Sequence, residues 1–167
     1  DANILIYPSG TEWCDGIANI CTATLDSNEV DDDSDFYVEC SNWSGASSIL
    51  GGDDCDDAEN TVYPNAPELC DGQDNSCVGV VAANETDNDL DSFVECTIDG
   101  GGWNGDVSVV GGDDCDDADN VVYPSASEVC DGQYNDCTDG SYSGSSAPAN
   151  EIDNDSDTYV ECNYNIG

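Results

Sequence analysis

Asn28-Glu29-Val30-Asp31-Asp32-Asp33-Ser34-Asp35-Phe36-Tyr37-Val38-Glu39-Cys40 sets carboxylates at Asp31, Asp33 and Asp35, then alternates briefly through apolar residues to a cysteine. The plan returns at 84–96 (NETDNDLDSFVEC), with Asp87, Asp89 and Asp91, and at 150–162 (NEIDNDSDTYVEC), with Asp153, Asp155 and Asp157. Side chains at positions 1, 3 and 5 of such a loop can turn onto one point. A ring of carboxylate oxygens with no cation beside it is stable only around a hard metal ion. The chain has no Lys, Arg or His at all. Metal is therefore expected to be part of the structure, and calcium, which takes about six to eight oxygen ligands, is the cation that fits.

These ladders are not EF-hands. Position 6, a glycine there, is Phe36, Ser92 or Thr158, and position 12, a glutamate there, is Asn42, Ile98 or Tyr164. The remaining ligands must come from elsewhere. The nearest candidates are Glu29, Glu85 and Glu151, two residues ahead of each ladder, and a downstream acidic block that is itself repeated.

That block, Gly51-Gly52-Asp53-Asp54-Cys55-Asp56-Asp57-Ala58, recurs as Gly111-Gly112-Asp113-Asp114-Cys115-Asp116-Asp117-Ala118. Val62-Tyr63-Pro64 and Glu68-Leu69-Cys70-Asp71-Gly72 recur as Val122-Tyr123-Pro124 and Glu128-Val129-Cys130-Asp131-Gly132, and the same plan opens the chain at Ile6-Tyr7-Pro8 and Glu12-Trp13-Cys14-Asp15-Gly16. Position-by-position recurrence marks a repeat array. The sequence divides into the second half of a repeat at 1–27, complete repeats at 28–83 and 84–149, and the first half of another at 150–167. The Ser/Gly/Ala-rich stretch 138–149 is the candidate flexible loop.

Eleven cysteines in 167 residues fit a disulfide scaffold of an oxidising compartment, since there is no C-x-x-C and no His to suggest a zinc or iron–sulfur site. Cys40–Cys55 and Cys96–Cys115 would lay each ladder beside its acidic block. The equal spacing of Cys14–Cys21, Cys70–Cys77 and Cys130–Cys137 suggests three small closed loops, leaving Cys162 unpaired or bonded between chains. Asp56, Asp57, Glu68, Asp71 and Asn75, with their counterparts Asp116, Asp117, Glu128, Asp131 and Asn135, form a candidate second metal cluster. Asp53, Asp54, Asp113 and Asp114 are candidate ligands to the ladders.

The fold expected is a set of small repeats stabilised by disulfides and calcium, loop-rich, with short β-strands and single helical turns, in an elongated tandem array. Phe36–Glu39 should be a strand pairing with Ile49-Leu50, and Pro67–Cys70 one helical turn ended by Asp71-Gly72. Each repeat has too few large apolar residues for a free-standing core without such staples.

A formal charge of −39 leaves no internal ion pairs and excludes nucleic acid as a partner, because nothing can neutralise phosphates. No apolar run is long enough to span a bilayer. Asn42, Asn84 and Asn154 head N-glycosylation triplets, and 138–146 offers hydroxyls, so glycans are possible partners. Catalysis is not expected: the carboxylates recur three times with no single distinguished pair.

The ladder, DDCDDA, VYP-x-A-x-E and CDG, in that order, resemble the Asp/Cys repeats of bacterial surface proteins known as "putative metal-binding motif", whose pattern runs D-x-D-G-D-G-[YF], D-C-D-D, Y-P-G-A-x-E-x-C-D-G and D-N-D-C. Thrombospondin type 3 repeats are similar only in the acidic ladder. The first resemblance implies an extracellular, calcium-loaded module and carries Asp31, Asp33, Asp35, Asp54, Asp56, Glu68 and Asp71 across as ligands. One relative is known for copper, a metal that favours imidazole, thioether or thiolate; His and Met are absent here. The ladder's family glycines are also missing. The expected function is that of an extracellular, cell-surface structural repeat, self-associating head to tail through metal-bridged ends as a filament or stalk. The alternative is a calcium-dependent adhesive or carbohydrate-binding module using Trp43 and Trp103.

Overall fold

The computed structural model describes residues 6–21, 24–138 and 147–162; residues 139–146, most of the expected flexible loop, lie outside it. Two compact units divide the chain: Asp1–Glu68 with Gln73–Val81, and Leu69–Gly72 with Ala82–Gly167. Their border at 81/82 falls close to the repeat border at 83/84. The tetrapeptide Leu69–Gly72 nevertheless belongs with the unit that follows it, for a reason that lies in the disulfides.

Regular structure is minimal. Among the described residues three 3-10 turns, η1 (Ser27–Glu29), η2 (Ala83–Glu85) and η3 (Ala149–Glu151), each lead into a ladder. Behind the first ladder the chain runs parallel to the segment entering the acidic block. Leu50 N–H donates to Phe36 O (2.7 Å), Val38 N–H to Gly51 O (3.2 Å), Asp54 N–H to Val38 O (3.1 Å) and Asp53 N–H to Cys40 O (3.1 Å). The second unit repeats this with Val110 to Ser92 (2.7 Å), Val94 to Gly111 (3.1 Å), Asp114 to Val94 (3.0 Å) and Asp113 to Cys96 (3.0 Å). Pairing with 49–50 was expected, but it amounts to isolated bridges, Tyr37 with Gly51 and Phe93 with Gly111, rather than full strands. The glycine pairs permit the approach: a Cβ on Gly52 or Gly112 would collide with the carbonyl oxygen of Cys40 or Cys96.

Small side chains fill the interior. Val38 and Val94 are wholly buried where the two segments meet, with Val62 and Ala66 in the first unit and Val109, Val122 and Ala126 in the second. Tyr37 stacks on Tyr63, and Phe93 on Tyr123, each at 5.3 Å between centroids. Such cores are too thin to hold a fold unaided, and five disulfides cross-link them.

The pairing differs from the expected one throughout. Cys14–Cys21, Cys40–Cys55, Cys70–Cys77, Cys96–Cys115 and Cys130–Cys137 do not form, and Cys162 is not unpaired. The bonds are Cys14–Cys40, Cys55–Cys77, Cys70–Cys96, Cys115–Cys137 and Cys130–Cys162, and the free, exposed thiol is Cys21. The buried glutamate of each 3-10 turn explains half of this. Glu85 Oε2 accepts from Asp71 N–H (3.1 Å) and Gly72 N–H (2.7 Å), holding the Cys-Asp-Gly turn over the next ladder so that Cys70 meets Cys96. Glu151 does the same for Asp131 and Gly132, and Glu29 for Gly16. The other half follows from the return segment. Tyr63 N–H donates to Asn75 O and Asn65 N–H to Ser76 O, which carries Cys77 back to Cys55. The equal spacing within 14–21, 70–77 and 130–137 therefore marks a loop joining two different bridges, not a loop closed on itself.

Pro67–Cys70 is not helical. In the equivalent segments, Trp13 N–H and Val129 N–H donate to the side chains of Asn19 and Asn135 (both 2.8 Å), so these amides are satisfied without a helical turn.

Candidate metal centres

The first aspartate of each ladder spends both oxygens on the backbone of its own loop, and the other two spend one each. Asp31 accepts from Ser34 N–H (2.7 Å) and Phe36 N–H (3.2 Å), Asp33 Oδ1 from Asp35 N–H (3.1 Å), and Asp35 Oδ1 from Tyr37 N–H (2.7 Å). This bracing requires left-handed backbone at Ser34 (φ 74°) and Phe36 (φ 79°), the two places where the family pattern has glycine. Leu90 and Ser92, and Ser156 and Thr158, adopt the same conformation. The residues standing in for those glycines thus hold left-handed backbone in all three ladders.

The free oxygens turn inward. Asp33 Oδ2 and Asp35 Oδ2 are buried with no hydrogen-bond partner, and so is Asp54 Oδ2, whose Oδ1 accepts from Asp56 N–H (3.0 Å). The second unit has the same three orphans, Asp89 Oδ2, Asp91 Oδ2 and Asp114 Oδ2. A buried, unpaired carboxylate oxygen is costly. Three converging in each unit make a cradle for a cation.

Distances agree. Ligand oxygens of Asp33, Asp35 and Asp54 lie within 4.8 Å of one another, as do those of Asp31, Asp33 and Asp57, and of Asp87, Asp89 and Asp117. Two oxygens bound to one calcium at about 2.4 Å can be at most about 4.8 Å apart. Asp54 and Asp114 also lie near the sulfurs of Cys55/Cys77 and Cys115/Cys137, but those sulfurs are in disulfides and offer no thiolate.

Burial pushes Asp54 up to about 6, with the carboxylates of Asp35, Asp33 and Asp57 adding to it against the Asp56 N–H; Asp114 also reaches about 6, with burial again the main cause. Burial likewise raises Asp35, Asp57, Asp89 and Asp91. Like-charge crowding of this kind is relieved by a bound cation.

Within the acidic block the structure sorts the residues. Asp54, Asp57 and Asp114 are buried and Asp117 is partly buried, whereas Asp53, Asp56, Asp113 and Asp116 are exposed. Asp57, placed by sequence in the second cluster, joins the ladder instead, and its Oδ1 accepts from Asp32 N–H (3.1 Å). Asp117 likewise groups with Asp87 and Asp89, whereas the glutamates of that cluster, Glu68 and Glu128, build turns. Glu68 accepts from Asn75 and Ser76 N–H, Glu128 from Asn135 and Asp136 N–H, and Asn135 Nδ2 donates to Asp131 Oδ2 (3.2 Å). Asp71 lies in the second unit, while Asp56, Glu68 and Asn75 lie in the first. Glu29, Glu85 and Glu151 face the Cys-Asp-Gly turn, a role whose only trace in the sequence is their constant place before each ladder. Trp43 lies against Gly16 and Gly45, and Trp103 against Gly72 and Gly105, and both indoles are partly buried.

The third ladder has the bracing bonds, with Ser156 and Thr158 N–H on Asp153 and Tyr159 N–H on Asp157, but all three of its aspartates are exposed. No acidic block meets it among the described residues.

A family model described as "Putative metal-binding motif", and named for copper binding, matches residues 1–35, 54–83 and 114–141, more than half of the chain. No curated protein and no solved structure matches it.

Proposed function

The chain belongs to this metal-binding-motif family, and we propose that within it this member is an extracellular calcium-binding structural repeat, without catalytic activity, in which metal ions and disulfides replace a hydrophobic core. The observation that carries the reading is the set of orphaned oxygens, Asp33, Asp35 and Asp54 in one unit and Asp89, Asp91 and Asp114 in the other. The chain itself has no cationic side chain to meet them. A hard divalent ion satisfies all three oxygens of a unit at once.

The donor chemistry favours calcium over the copper of the family's name. Copper selects imidazole, thioether or thiolate. His and Met are absent, ten of the eleven cysteines are in disulfides, and the remaining one, Cys21, is a single exposed thiol. Five disulfides are consistent with an oxidising compartment, which supports a location outside the cytoplasm. With Cys162 bonded to Cys130, the thiol that sequence reasoning offered for joining copies is not available.

When bound, calcium would supply the positive charge that ties the ladder to the segment entering the acidic block. Asp33 and Asp35 would hold it from the loop and Asp54 from that segment. Isothermal titration of the disulfide-intact, chelator-treated chain with calcium, and separately with copper(II), tests this. Saturable calcium binding that copper does not displace is the expected result; copper binding that excludes calcium would overturn it.

A further inference from the structure

We infer that each complete ladder is a two-cation centre, with Asp33 in the first unit and Asp89 in the second as the bridging carboxylates. This rests on the reading of the ladders as calcium sites and sets how many ions each one takes. Two groups of oxygens, each tight enough for one ion, share Asp33 and nothing else: Asp35 and Asp54 on one side, Asp31 and Asp57 on the other. The inner group is marked by Asp54, only 5 % exposed, which aims an unpartnered oxygen into it. The outer group ends on Asp57, 8 % exposed, whose Oδ1 is fixed by the Asp32 N–H.

The second unit has a similar layout, except that Asn88 donates both its N–H (2.9 Å) and its side-chain Nδ2 to Asp117, which is partly buried. Asp87, Asp89 and Asp117 form the outer group, and the orphaned oxygens of Asp89, Asp91 and Asp114 mark the inner one. A carboxylate has lone pairs enough to serve two ions. Charge supports the count. Five carboxylates around one divalent ion would leave a net charge of about −3 in a half-buried cluster, whereas two ions leave about −1, and unbalanced charge of that kind is unfavourable away from water.

Equilibrium dialysis against radioactive calcium, on the full disulfide-intact chain, counts the ions. Asp57→Asn with Asp117→Asn keeps the oxygen that anchors the neighbouring amide while removing charge from both outer groups. The double variant is expected to bind one ion fewer per complete ladder than the parent chain, and Asp54→Asn with Asp114→Asn to show a comparable loss at the inner groups. If the Asp57/Asp117 variant binds as many ions as the parent while the Asp54/Asp114 variant binds fewer, the ladder holds one ion and the two-cation centre is wrong, though the calcium reading stands. If the parent chain binds no calcium, both fall.

A measurement on the unsubstituted chain guards against variants that fail to fold. Two ions sharing a carboxylate sit about 4 Å apart, so terbium loaded together with neodymium should show a shortened emission lifetime compared with terbium alone. An unchanged lifetime at full loading would overturn the proposal.

Discussion

The first and third ladders have the same loop and different fates. In both, the first aspartate takes the N–H groups of the fourth and sixth loop residues, which step back through left-handed backbone (Ser34 and Phe36, Ser156 and Thr158), and the last aspartate takes the N–H of a tyrosine. Beyond that they part. Tyr37 stacks on Tyr63 and Val38 is wholly buried, whereas Tyr159 is 78 % exposed and Val160 39 % exposed. Burial raises Asp35, while hydrogen bonds, that from Thr158 first, lower Asp153. Loop conformation is thus encoded within the ladder itself. The depth of the candidate metal centre comes from the segment that delivers Asp54 and Asp57.

Breaking the link between ladder and acidic block should have the largest effect. Cys55→Ser with Cys77→Ser releases the acidic block from its anchor, and chemical unfolding should report a loss of about 3 kcal/mol. Asp54→Asn should make the first ladder behave like the third, weakening calcium there by about tenfold or more, or ~1.4 kcal/mol. Titration calorimetry would show it as a site moved from the tight class to the weak one.

The effect of pH should separate the ladders further. Asp54 and Asp114 titrate near 6 in the calcium-free fold, above the ordinary 3.8. Between those values the folded chain holds protons that the unfolded chain has released, so the stability of the calcium-free fold rises as pH falls from 7 towards 5. Calcium needs the ionised carboxylates, so its affinity at the complete ladders falls over the same window. The third ladder, with Asp153 lowered, should keep its weak affinity to lower pH. Melting and calcium titrations at several pH values check both slopes.

The smallest effect tests local encoding. Phe36→Gly and Thr158→Gly each relieve a left-handed side-chain residue while loosening the unfolded chain, for a net gain of about 0.5 kcal/mol. The gain should be equal in the two ladders, as read by thermal melting; a gain confined to one would mean the loops are not equivalent.

How much of this was legible in the sequence depended on whether the signal was local. The ladders were, because alternating aspartates on a cation-free chain have one physical use, and so was the choice of the glycine-rich acidic block as their partner. The register within that block was not. Asp54 and Asp57 point in while Asp53 and Asp56 point out because of a parallel pairing that only the Val38 and Cys40 carbonyls define. The disulfides misled for a similar reason: a constant spacing from Cys70 to Cys77 is satisfied equally by a closed loop and by a loop between two bridges. The deciding contact, Glu85 on the Asp71 and Gly72 amides, joins residues 13 and 14 positions apart. Glu85, with Glu29 and Glu151, had looked like a metal ligand and is instead the peg on which the preceding turn hangs.

If cations bound between ladder and acidic block hold this fold together, calorimetric melting of the disulfide-intact chain at pH 7 will depend on them. In excess chelator the melting temperature should be lower by many degrees, and excess calcium should restore it fully. An identical melting temperature in chelator and in calcium would rule this role out.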